Sequence, residues 1–93
     1  MNLYLVPLGP EFQSGRQYGV MSENGRLLAS HFCSNLEWAK RDLFYESRQK
    51  FYKQYLQTDT LPQVVVVNED DTLLDTLIKL YLRTEEQRIE EQA

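Results

Sequence analysis

Residues 17–32 read QYGVMSENGRLLASHF. Two runs rich in β-formers, Gln17 to Ser22 and Arg26 to Phe32, flank Glu23-Asn24-Gly25. An Asn-Gly pair tolerates the positive φ angles of a primed two-residue turn, so the stretch predicts a β-hairpin. It is the strongest local signal in the chain, and the rest of the fold is read outward from it.

Upstream, Asn2 to Val6 is short and apolar and is followed by Pro7, Gly9 and Pro10, which predicts a strand and then a loop to about Gly15. Downstream, Ser34-Asn35-Leu36-Glu37 has the spacing of a capping box, in which the serine hydroxyl accepts from the third backbone N–H on while the glutamate reaches back. No Pro or Gly interrupts residues 35–57, and Glu37/Arg41 and Glu46/Lys50 are oriented i,i+4 pairs, so one helix is predicted over 35–57. Thr58, Asp59, Thr60 and Pro62 end it. Val64-Val65-Val66-Val67 is β-branched on both faces, which predicts a strand in the sheet interior. Glu69, Asp70 and Asp71 then supply caps, and Leu73, Leu74, Leu77, Ile78, Tyr81 and Leu82 recur at helical spacing, predicting a second helix over 71–86. Glu85, Glu86, Glu90 and Glu91 crowd like charge at a helix end that prefers cations, so 87–93 is expected to be a frayed acidic tail.

The order β-β-β-α-β-α predicts an α+β two-layer sandwich: a four-strand sheet with both helices on one face, forming a single domain over 1–93. This order resembles the opening of the ribonuclease-H-like fold, but the catalytic acids which that family carries on its first strand are missing from Asn2-Leu3-Tyr4-Leu5-Val6. The resemblance is one of topology and implies no activity.

The 93 residues are less than the ~150 of a typical domain, and 42% apolar content suffices for one modest core. With 26% charged residues, a net charge of -4, 4 Gly and 3 Pro, disordered and collagen-like classes are excluded. The longest apolar run is the four valines, far below the ~20 residues of a membrane span. Residues 1–30 lack a basic-then-apolar leader, so a cytoplasmic chain that makes no membrane contact is expected. Its single cysteine, Cys33, cannot close an internal disulfide and suits a reducing compartment.

The first predicted helix carries the main functional signal. At about 100° per residue, Leu36, Ala39, Leu43, Phe44, Phe51 and Tyr55 share one arc, the expected core face. The opposite side carries Trp38, Tyr45 and Tyr52 at seven-residue spacing, flanked by Arg41 and Arg48. One sheet cannot cover both sides, and Trp, Tyr and Arg are the types enriched in binding hot spots. Trp38, Arg41, Tyr45, Arg48 and Tyr52 are therefore the candidate partner-binding residues, against the plainer reading that the stripe packs on the other helix. A heptad-spaced seam can meet its own copy across a two-fold axis, so the simplest partner is the protein itself. The alternative is single-stranded nucleic acid, with bases stacked on the aromatics and phosphates on the cations. Residues 36–57 hold five bases and three acids, a small positive balance for that role on a chain of net -4.

Elsewhere the chemistry is sparse. His31, Cys33 and Asn35 are similar in order to a thiol nucleophile with its base and orienter. On a strand, however, residues two apart lie ~6.5 to 7 Å from each other, whereas the pair needs hydrogen-bond contact. One histidine and one cysteine fall short of a zinc site. Glu69, Asp70, Asp71 and Asp75 match no cation loop, and Gly9, Gly15, Gly19 and Gly25 lie outside the nucleotide-binding patterns. No enzyme activity, metal or cofactor is expected. Residues 58–93 hold nine acids and three bases, so the second helix offers a possible acidic contact. In size and acidity the chain resembles small phage-encoded accessory proteins, some of which inhibit host enzymes by occupying a nucleic-acid groove. The expectation is thus a small non-catalytic, self-associating protein-binding module.

Overall fold

In the computed structural model, which describes residues 2–8, 17–32 and 35–92 (side chains at 17 and 88–92 excepted), the hairpin forms where the sequence predicts it. The elements are β1 (Asn2–Leu8), β2 (Gln17–Met21), β3 (Leu27–Phe32), α1 (Leu36–Leu43), α2 (Glu46–Leu56), β4 (Gln63–Val66) and α3 (Thr72–Gln92). The sheet runs β3-β2-β1-β4 and is mixed, with β1 antiparallel to β2 and parallel to β4. The loop expected up to Gly15, and also Cys33 and Ser34, lie outside the described residues beyond Leu8.

The turn differs from the primed type expected. Gly25 N–H donates to Ser22 O and Ser22 N–H to Arg26 O, both at 3.0 Å. The buried Ser22 hydroxyl accepts from Arg26 N–H at 3.3 Å. Only Gly25 takes a positive φ, of 80°, so a three-residue loop closes with one left-handed glycine.

β1 continues past Pro7, where the sequence predicts it to stop. β4 pairs with Asn2–Leu5 only, and Val67 N–H donates to Leu5 O at 2.9 Å. Backbone groups two residues apart point the same way, so the missing N–H of Pro7 falls beyond the end of β4 and costs no ladder bond.

The valine run corrects a second expectation: β4 is an edge strand, not a central one. Its β-branched residues reflect two covered faces rather than two bonded neighbours. Val64 and Val66 pack with Leu3, Leu5, Val20 and Ala29 against Ala39, Leu43 and Tyr52. Val67 packs with Val6, Leu8 and Met21 against Leu74 and Leu77. These two sets alternate along β1, the period-2 mark of opposite faces. The α+β class and the four-strand sheet stand as predicted. One face does hold two helices, but they are the halves of the single helix expected over 35–57. The helix expected over 71–86 covers the other face.

That first helix breaks without a Pro or Gly. Phe44 (φ -127°, ψ 25°) and Tyr45 (φ -72°, ψ 167°) leave the helical region, freeing the last carbonyls of α1. Side chains of α2 meet them: Tyr52 Oη donates to Leu43 O at 2.7 Å and Gln49 Nε2 to Phe44 O at 2.5 Å. The break re-aims α2 so that Tyr52 enters the core, packed on Phe44 at 5.6 Å between ring centroids. α2 ends at the predicted place, on left-handed Gln57 (φ 55°). On the surface, Glu37 pairs with Lys40 rather than Arg41, while Glu46 reaches Lys50 at 3.8 Å.

The cap of α1 is Asn35. Its Oδ1 accepts from Glu37 N–H at 2.8 Å and from Trp38 N–H at 3.4 Å. Asn35→Ala is expected to lower stability by about 1 kcal/mol, read as an earlier denaturation midpoint at unchanged slope. A midpoint that does not move would mean that the helix start is held by other contacts. Asp71 caps α3, its Oδ1 accepting from Leu73 N–H at 2.9 Å. α3 then runs to Gln92, so residues 87–92 of the expected acidic tail are helical backbone.

Candidate functional site

Asp42 on α1 and His31 on β3 tie the helix to the edge of the sheet, with Oδ2 and Nε2 3.1 Å apart and both side chains part-exposed. Trp38 lies four residues before Asp42 on the same helix, which places it on the same side of α1. Tyr45, just past the end of α1, lines a shallow groove with Leu28 of β3 and Ser47, Arg48 and Phe51 of α2. The groove encloses about 280 Å3. Trp38, Tyr45 and the groove therefore sit beside β3, an outer strand of the sheet.

The aromatics there are open to solvent. Trp38 is 65% exposed, Tyr45 50% and Phe51 45%. At the end of β3, Phe32 is 71% exposed. It falls on the opposite face from Ala29 and His31 by strand alternation. Arg41 is exposed as well. Arg48 is half-buried, its guanidinium carbon 5.9 Å from the centre of the Tyr45 ring, a cation–π distance. Its Nε–H is buried and donates to no partner among the described residues.

Of the five residues predicted to bind a partner, Trp38, Tyr45 and Arg48 lie beside β3, Arg41 is exposed on α1, and Tyr52 stands apart from them. Tyr52 is fully buried. The seven-residue spacing that joined it to Trp38 and Tyr45 presumes one unbroken helix, and the break at Phe44-Tyr45 changes the phase. The same change moves Phe51 the other way, from the expected core face to the open groove. Phe32 and Leu28 were not singled out in the sequence, since only the strand order shows that β3 is an outer strand. The exposed Leu82 of α3 belongs to no such cluster.

The residues weighed for chemistry have structural engagements. His31 faces Asp42, and Asn35 caps α1. Among the described residues no three His, Cys, Asp or Glu side chains gather as a metal-binding group. None of the described helices is long and apolar enough to cross a membrane. The Tyr52 hydroxyl is pushed up to about 12 chiefly by burial, with the Arg48 charge pulling down and Tyr45 adding a smaller upward push. Its role is in the core.

A larger cleft of about 390 Å3 lies beside the contact of the hairpin tip with α3, lined by Gly25, Arg26 and Leu27 on one side and Tyr81, Thr84 and Glu85 on the other. It is open, with no aromatic cluster at its mouth. No protein-family model matches the chain, and no curated protein or solved structure matches it.

Proposed function

We propose that the chain is a non-catalytic protein-binding module that self-associates through the surface built by Trp38, Arg41, Tyr45 and Arg48, extended by Phe51. The observation that carries this reading is the exposure of Trp38 at 65% and Tyr45 at 50% on one side of a small helical layer. Leaving large rings in water forgoes roughly 1.5 to 3 kcal/mol of burial for each, and clusters of this kind mark contact surfaces. Tyr45 stacked on Arg48 supplies the rigid aromatic and the planar cation that dominate interface energetics. Two copies related by a two-fold axis offer each other the same rings, so no second protein is needed to cover them.

The test is the mass in solution of the wild type and of a Trp38→Ala/Tyr45→Ala variant. The wild type is expected at twice the 11.0 kDa chain mass. The variant is expected to associate at least roughly 30-fold more weakly, since truncating a hot-spot aromatic costs about 2 kcal/mol or more. A wild type that stays at 11.0 kDa at every concentration would rule out self-association.

A further inference from the structure

β3 is an outer strand, and the hydrogen-bond pattern shows which of its backbone groups face outward. Leu5 O accepts from Val67 N–H, so the backbone groups of Leu5 point toward β4 and away from β2. Leu5 lies opposite Val20, which makes that pair non-hydrogen-bonded and turns the groups of Val20 toward β3. Val20 lies opposite Ala29 and Tyr18 opposite His31, so Ala29 and His31 bond to β2. By alternation the N–H and C=O of Ser30 and Phe32 face away from the sheet. No turn, loop or cap bond between described residues reaches them.

An unpaired edge recruits another strand unless it is guarded by charge, proline or brevity. β4, the other edge, is four residues long and follows Pro62. β3 is six residues, LLASHF, without proline, lysine, arginine or carboxylate. A bulge falls near its start, opposite the Val20/Met21 step, and leaves 29–32 regular. The aromatic surface lies along this same strand.

We infer that a second copy of the chain docks here by antiparallel β3–β3 pairing about a two-fold axis normal to the sheet, so that the two sheets become one of eight strands. This rests on the self-association reading and names its geometry. Three features select a second copy as the occupant. The outward N–H and C=O groups of Ser30 and Phe32 are self-complementary in an antiparallel pair. The strand carries no fixed charge to repel its image. A rotation about the sheet normal keeps the helical layers on the same side, so Trp38, Tyr45 and Phe51 of one copy come to face those of the other across the seam. One contact thereby accounts for both the open edge and the exposed rings.

The test is solution mass together with residue-resolved amide exchange. Ser30→Pro removes only an outward N–H, as an edge position allows, and Ser30→Lys sets like charges against each other at the seam. Both variants are expected to fall to the 11.0 kDa chain mass with their secondary structure intact. In the wild type, the Ser30 and Phe32 amides are expected to exchange on the order of tenfold more slowly, or slower still, above the dimerisation concentration than below it. A dimer that survives both Ser30 substitutions, or whose Ser30 and Phe32 amides exchange alike at all concentrations, overturns the pairing. If that dimer is still lost in Trp38→Ala/Tyr45→Ala, the aromatic surface reading stands alone. A dimer lost with Ser30→Lys but indifferent to the aromatic substitutions keeps the pairing and removes the aromatic reading. A wild type monomeric at millimolar concentration overturns both.

Discussion

Alanine at Gly25 should destabilise the fold by about 2 to 5 kcal/mol, from adding a single methyl group. Two costs act together. Gly25 sits at φ 80°, where a Cβ crowds its own carbonyl at about 1 to 2 kcal/mol. That Cβ would also run into Leu80 Cβ and lie 2.8 Å from the Leu80 carbonyl carbon and the Tyr81 nitrogen. Overpacking of this kind costs about 1 to 3 kcal/mol where the neighbour cannot move. Here the neighbour is helix backbone in the middle of α3, so shortening the Leu80 side chain gives no relief. Gly25→Asn separates the two costs, because asparagine tolerates the left-handed region but still carries a Cβ. It should remain destabilised if the clash with α3 dominates. Denaturant unfolding reads both variants, and an alanine variant within about 0.5 kcal/mol of the wild type would mean that α3 is not seated on the hairpin tip.

Truncating Tyr52 should be at least as damaging. Tyr52→Ala removes a fully buried ring packed on Phe44 and Phe51, a loss of about 3 to 5 kcal/mol. Tyr52→Phe keeps the ring but leaves Leu43 O without its 2.7 Å donor, at about 1 to 3 kcal/mol. The hydroxyl also sets an alkaline limit. The folded state holds the phenol at about 12 against an ordinary value of 10.0, because burial disfavours the phenolate. The unfolded chain therefore loses its proton first. Stability is fully present below pH 10, declines between about pH 10 and 12 by roughly 2 to 3 kcal/mol, and levels off above. Tyr52→Phe should start from lower stability and lack this decline. An equal alkaline decline in both proteins would show that the hydroxyl is not the titrating group.

Local signals and the fold agree wherever a decision lies within a few residues. The hairpin around Asn24-Gly25, the start of α1 at Leu36, the stop after Leu56 and the Asp71 cap were all legible within one residue or so, because turns and caps are built from side chains acting on adjacent backbone. Legibility fails where the deciding contact is distant. Phe44-Tyr45 carries no breaker, and its departure from helix is stabilised by Tyr52 and Gln49 reaching back from α2. The valines of β4 were read as central because burial on both faces and pairing on both edges leave the same mark in sequence.

The candidate surface divides in the same way. Trp38 and Tyr45 were legible as rings that the core does not need, and Arg41 and Arg48 as their flanks. Tyr52 was grouped with them by a spacing that holds only for a straight rod. Phe51 and Leu28 could join the surface only once the helix break turned Phe51 outward and the strand order put β3 outermost.

By itself, the order of residues determined which segments are strand and which are helix, and that rings would be left over on the first helical stretch. Those are properties of hydrophobic period, caps and turn residues, all of which act over a few bonds. Tertiary structure alone decided that β1 is interior and β3 outermost, that α3 crosses to the far face, and that Tyr52 turns inward while Phe51 turns out. The physical reason is that burial is shared between segments far apart in the chain. Which neighbour covers a given apolar face depends on every other face competing for cover, and no single stretch records that outcome.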